Sequence, residues 1–170
     1  MKLQFSHECK ASQQKVWDTM LDPAVLERII PGVESFEETA EDEYAAVMKL
    51  GIPAVKGEYK GSVKVQDKQP FDSYVLAAEG KGVQGWAKGA AKVSFTAKGD
   101  DITLMEVTAD AQIGGRMAGV GQRMMEGVAK MLAEEFFADF DKELQGETVT
   151  AVGPIQFFFR ALLRLFGFKR

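Results

Sequence analysis

Apolar and polar residues alternate from the start of the chain, with Leu3, Phe5, His7 and Cys9 on one side and Lys2, Gln4, Ser6 and Glu8 on the other. A period of two without a continuous apolar run predicts a strand rather than a signal peptide, and with it a cytoplasmic protein. Gln13–Leu21 reads as a short helix capped by Ser12 and ended by Asp22-Pro23. Ala24–Ile30 reads as a second, stopped by Pro31-Gly32. Strands are expected near 33–41, 43–51, 55–65, 71–80, 86–98 and 102–113, the alternation being clearest over Val55–Val65. Their even spacing and short turns, such as Gly99-Asp100-Asp101, predict one antiparallel meander.

From Gly115 to Leu144 the period becomes helical, with Met117, Val120, Met124, Val128, Met131 and Leu132 on one face, continued by Phe136, Phe137 and Phe140. Thirty helical residues would span about 45 Å, enough to cross a sheet. An antiparallel sheet and a single long helix bury both apolar faces only if the sheet wraps the helix. The predicted class is therefore α+β, a curved antiparallel sheet gripping one long helix over residues 1–145.

The inward side of that sheet is small: Ala46, Gly57, Gly61, Ala87, Gly89, Ala91, Ala97, Ala109 and Ala111. Interiors pack near a density of about 0.74, so such positions need large partners or enclose a space. Either the Met and Phe side chains of the helix fill the room and the glycines permit curvature, or an elongated apolar cavity accepts a hydrophobic ligand. In the second case Ala91, Met105, Val107, Met117, Val120, Met124, Val128 and Met131 are the expected lining.

The last residues differ from the rest. A linker over 146–153 leads to Pro154, suited to the first turn of a helix. On that helix Gln156, Arg160 and Arg164 form a polar stripe opposite Phe158, Phe159, Leu162, Leu163 and Phe166, widened by Phe157, Leu165 and Phe168. Seventeen helical residues reach only about 25 Å, short of the roughly 30 Å hydrocarbon core. Docking on a partner or on its own domain would also hide this face. The Phe run and the lack of acids favour a helix lying in the interface of an anionic bilayer. The expected membrane-binding residues are Phe157, Phe158, Phe159, Arg160, Leu162, Leu163, Arg164, Phe166 and Phe168.

Charge follows the same division. The 170 residues carry a formal −4, but 154–170 hold four basic residues and no acid, so the remainder stands at −8. Such a body would be repelled by an anionic bilayer, so membrane contact is expected in the tail alone, and nucleic acid is not an expected partner. A single cysteine, Cys9, rules out an internal disulfide, and a single histidine, His7, argues against an all-protein zinc cage. There is no Gly-x-Ser-x-Gly, and no carboxylate pair stands in an apolar context. Gly80-Lys81-Gly82-Val83-Gln84-Gly85 has the letters of a dinucleotide motif but precedes a strand, where no helix N-terminus can meet a phosphate. No catalytic residue and no metal site are expected, and Glu34–Glu43 reads as a solvated acidic hairpin.

Several blocks together resemble the CoxG family of carbon monoxide dehydrogenase proteins, within the START-like (SRPBCC, helix-grip) superfamily. They are Val16-Trp17 with Asp22-Pro23, Ile30-Pro31-Gly32-Val33-Glu34, Lys49–Gly57 with Gly61, Gly80-Lys81-Gly82 with Gly89-Ala90-Ala91, Asp110–Gly115 and Gly119–Arg123. Val33 stands where the family often has a small residue or cysteine after Pro-Gly. The resemblance implies a hydrophobic-ligand cavity, a membrane-associating apolar tail and a molybdenum hydroxylase of the carbon monoxide dehydrogenase type as partner. It implies a carrier of respiratory quinone, such as menaquinone, or of lipid, with no covalent cofactor. It leaves open a ligand-free membrane adaptor for the same enzyme, and a START-like cyclase or lyase for which His7 would be the ionisable group.

Overall fold

A computed structural model of the protein describes residues 1–150. The expected tail helix and its membrane-binding residues lie outside the described residues. Strand β1 (Lys2–Cys9) is followed by helices α1 (Gln13–Met20) and α2 (Pro23–Ile29). Six strands come next: β2 (Val33–Ala40), β3 (Glu43–Leu50), β4 (Gly57–Gln69), β5 (Ser73–Gly82), β6 (Gly85–Gly99) and β7 (Ile102–Gly114). Helix α3 (Gln122–Leu144) closes the series. The strands form one antiparallel sheet ordered β1-β7-β6-β5-β4-β3-β2. This is the α+β helix-grip architecture that the periodicities predict.

The connections follow local chemistry. Ser12 accepts from the Lys15 amide to start α1, and Asp22 accepts from the Ala24 amide to start α2, with Pro23 in its first turn. Because β1 and β2 occupy opposite edges, the helix pair must cross between them, packing against α3 and the sheet. The acidic hairpin at the β2 edge is solvated, its charges met by Lys68 to Asp42 at 2.8 Å and Lys64 to Glu43 at 3.0 Å.

The long helix departs from expectation at its start. Gly115–Val120 forms a 3-10 segment, and Gly121, at φ 97°, separates it from α3. The α-helix therefore has 23 residues, about 35 Å, rather than thirty. Glycine at 115, 119 and 121 removes both propensity and a side-chain cap, and Gly115 takes φ 73° to pass against Gly85. A 3-10 turn advances 120° per residue against 100°, so the helical face inferred for 117–124 does not continue into α3. Met125 is buried, and Met124, expected to face inward, is 56% exposed.

Packing divides the interior. Cys9, Val16, Trp17, Ile29, Tyr74, Val93, Phe95, Met105, Phe140 and Leu144 form one buried cluster around the last turns of α3. Leu50, Ile52, Val55, Met117, Met125 and Val128 form a second around its first turns. Beyond α3 the chain folds back: Val149 is buried in the first cluster, and its amide donates to Glu143 Oε1 at 3.1 Å.

A candidate hydrophobic binding site in the grip

Strand register places the small inward residues side by side. One row across the sheet reads Ile113, Ala87, Gly80, Gly61, Ala46. The next reads Ala111, Gly89, Ala78, Val63, Tyr44, and the third Leu3, Ala109, Ala91, Leu76, Val65. These rows lie between the first two clusters, and their β3 and β4 members Tyr44, Ala46, Val63 and Val65 join a third cluster around Val33 and Phe36. Their alanines and glycines are half-buried, except Ala78, which is exposed. Below them Phe5, Val107, Val93 and Tyr74, then His7, Met105 and Phe95, make a packed floor. The result is an apolar trough over several strands. Of the expected small set, Ala97 falls outside it, exposed at the far end of β6, and Gly57 lies beyond it opposite Leu50.

The glycines divide the two readings of this surface. A Cβ at Gly61 would strike the backbone of Glu79, and one at Gly89 the backbone of Asp110 and Ala111, so these two serve close strand approach and curvature. A Cβ at Gly80 would meet only the Lys60 carbonyl at 3.9 Å, so the room above it is real.

The expected lining residues fall into four groups. Ala91 lies in the trough, and Val107 is half-buried at its floor. Met117 and Val128 are buried in the second cluster, with Val120 and Met131 packed against it at one end of the trough. Met105 is wholly buried beneath the trough among Cys9, Phe95 and Phe140 and so supports the floor instead of lining it. Met124 faces outward. Sequence reasoning passed over Met48, Tyr59 and Ile113, which pack against the second cluster together with Leu132, a residue it placed on the inward helical face but left out of the lining. Counting alternate residues along β3, β4 and β7 would have found these strand members.

At this end a cleft of about 320 Å³ opens between the 3-10 segment and the start of β1, lined by Met1, Ala111, Ile113, Met117 and Met125. A larger hollow of about 630 Å³ lies on the outer face among Lys60, Glu79, Lys81, Trp86 and Lys88, a solvated, charge-alternating surface. The Tyr59 phenol donates to the Val55 carbonyl at 2.6 Å, and burial holds its pKa above the usual tyrosine value.

The polar groups of the floor are engaged with one another. His7 stacks on Phe137 at 4.6 Å, and its Nε2 lies 2.8 Å from Asp141 Oδ1. With Cys9 these residues bring three metal-type ligand atoms within 4.8 Å of one another. Burial pushes the Cys9 thiol up to about 12, helped by Asp141 and Glu8. Through its contacts with Asp141 and Phe137, His7 ties β1 to α3. Sequence reasoning also missed two carboxylates on α3, Glu135 and Asp139, both buried, Asp139 accepting from Lys142 at 3.2 Å.

A family model, that of the CoxG subunit of carbon monoxide dehydrogenase, matches residues 6–145. The chain belongs to the CoxG family. A conserved protein from Geobacillus kaustophilus is 36% identical, with a TM-score of 0.84 over 86% of this chain and 96% of that one. Two more distant structures share the fold alone. A START superfamily protein from Mycobacterium smegmatis is 12% identical at a TM-score of 0.68, covering 85% of this chain and 97% of that chain. The Zhui aromatase/cyclase from Streptomyces sp. R1128 is 12% identical at 0.64, covering 85% and 93%. No curated protein sequence matches. Among the described residues no helix is long and apolar enough to cross a membrane.

Proposed function

We propose that this CoxG protein is a non-enzymatic carrier that holds a hydrophobic ligand, a respiratory quinone such as menaquinone or a lipid, in the trough between sheet and α3. Its partner is a molybdenum hydroxylase of the carbon monoxide dehydrogenase type, and residues 154–170 attach it to the inner face of the cell membrane. The observation that carries this reading is the set of small inward residues that share three rows of the sheet, the first of which, through Ala87 and Ile113, packs against the cluster of Met117, Met125 and Met131. A flat ring with an isoprenoid tail needs little beyond burial, worth about 25 cal/mol per Å², and flexible methionines adapt to its shape. The family description supports the enzyme partner, and the basic, acid-free tail supports the membrane.

Native mass spectrometry of gently extracted protein should find a quinone or lipid at one per chain, and its absence under every extraction condition would overturn the reading. Ala91→Phe, which fills the third row, should remove the ligand without unfolding the protein. A ligand-free adaptor would instead tolerate Ala91→Phe and fail only when residues 154–170 are removed.

A further inference from the structure

The formal −8 of the body is not spread evenly. The end of the grip where α3 begins is built from three segments, 51–57, 80–89 and 114–125. The Met117 amide donates to the Gln84 carbonyl at 2.8 Å, Gly115 passes against Gly85, and Ile52, Val55, Met117 and Met125 share one cluster. These segments contain Lys56, Lys81, Lys88, Arg116 and Arg123, all exposed, and no aspartate or glutamate. The nearest acids outside them are Glu34 and Glu58, which flank Lys49 at 3.4 and 3.9 Å, Glu79, directly across the strand pair from Lys88, Asp110 on β7, and Glu126, which accepts from Gln122. The opposite end carries the acidic turns Glu41-Asp42, Asp72 and Asp100-Asp101.

The same basic end also exposes large apolar side chains. Val83, at the two-residue tip of the β5–β6 hairpin, is 87% exposed, Met124 is 56% exposed, and Trp86, with the Lys88 ammonium 5.6 Å above its ring, is 37% exposed. Isolated surface apolar residues are ordinary, but three on segments that carry five cations and no acid are not.

We propose that this rim is a docking surface for an anionic lipid bilayer, separate from residues 154–170 and independent of what the trough binds. The chemistry suits a deformable surface. A protruding Val83 and Met124 enter the headgroup boundary, Trp86 sits at its level with ring buried and N–H wet, and five cations attract anionic lipid at about 1 kcal/mol each, screened by salt. A groove-bearing protein partner would call for shape and satisfied hydrogen bonds, which a hairpin tip and a helix start do not offer.

The test uses the full chain with single added cysteines, since the wholly buried Cys9 does not compete for label. An environment-sensitive dye at Val83→Cys or Met124→Cys should shift to the blue, and resist an aqueous quencher, with vesicles containing phosphatidylglycerol. It should not do so with phosphatidylcholine alone or at high salt, and the same dye at Glu41→Cys should stay aqueous. Arg116→Gln with Arg123→Gln should weaken vesicle binding about 30-fold while leaving the melting curve unchanged. Flotation of the protein with both rim dyes still aqueous overturns the rim and leaves the tail attachment standing. No flotation overturns both. Rim dyes that respond to a purified partner enzyme and not to vesicles would overturn the lipid assignment in favour of a protein.

Discussion

The two ends of the grip are built on different principles. At the floor, aromatic side chains lock together: Trp17 meets Tyr74 and Phe95 edge-on at 5.4 and 5.7 Å, and Phe136 stacks on Phe140 at 5.9 Å. Hydrogen bonds tie distant segments there, such as the buried Thr103 hydroxyl to the Ala11 carbonyl at 2.9 Å. At the rim, Met1, Met48, Met117, Met125 and Met131 meet around a helix that starts from glycine without a side-chain cap. Rigid rings specify one packing, whereas unbranched thioethers accept several. A site that admits and releases something bulky can do so only from the second kind of end, while the first keeps the fold.

The comparison breaks first under truncation. Phe140→Ala should cost about 3–5 kcal/mol, and Met125→Ala, at the adaptable end, about 2 kcal/mol, both read from urea midpoints. If the two were equal, the contrast in packing would be false. The glycines sharpen it next. Gly61→Ala should cost about 1–3 kcal/mol through its clash with the Glu79 backbone, and Gly80→Ala should be neutral to slightly stabilising.

A third test concerns the fastening beneath the floor. Arg28 Nε and Nη2 each donate to Glu143 at 3.0 Å, and this bond, with the Val149 amide, holds the Glu143 carboxyl below its ordinary 4.5. A depressed carboxylate stabilises the fold above its unfolded pKa and loses that contribution as pH falls through the folded value. Glu143→Gln should therefore cost about 1.5–3 kcal/mol at pH 7, with the deficit shrinking in acid titrations below about pH 4.5.

Cys9 behaves in the opposite sense. Its thiol stays protonated up to about 12 when folded and ionises near 9.0 when unfolded, so its contribution is complete below 9.0 and fades above it. A thiol reagent at pH 8 should modify it only after denaturant is added. The smallest effect belongs to Met124→Ala, an exposed side chain, which should move stability by under about 0.5 kcal/mol.

Much of this was legible without coordinates because it is local. Period-two alternation located every strand to within a few residues, Ser12 and Asp22-Pro23 marked the helix starts, and the small inward set followed from strand parity. The helix start was misjudged for a reason of the same kind. Periodicity assumes one uniform winding, and the glycines of 115–121 change it, exchanging Met124 for Met125 on the inner face. His7 and Cys9 were placed on one side of β1, but their neighbours Asp141 and Phe137 are more than a hundred residues away and no spacing connects them.

Composition and order along the chain thus determined the class of fold, the smallness of the sheet's inner surface and the separation of a basic tail from an acidic body, since each depends on neighbours in sequence. Only the tertiary structure decided which small residues share a row, which glycines are spent on curvature and which leave room, and that the acidic body has a basic, apolar rim. Those facts arise where segments remote in the chain are brought to one place, and net charge, being a sum, carries no record of where its parts are put.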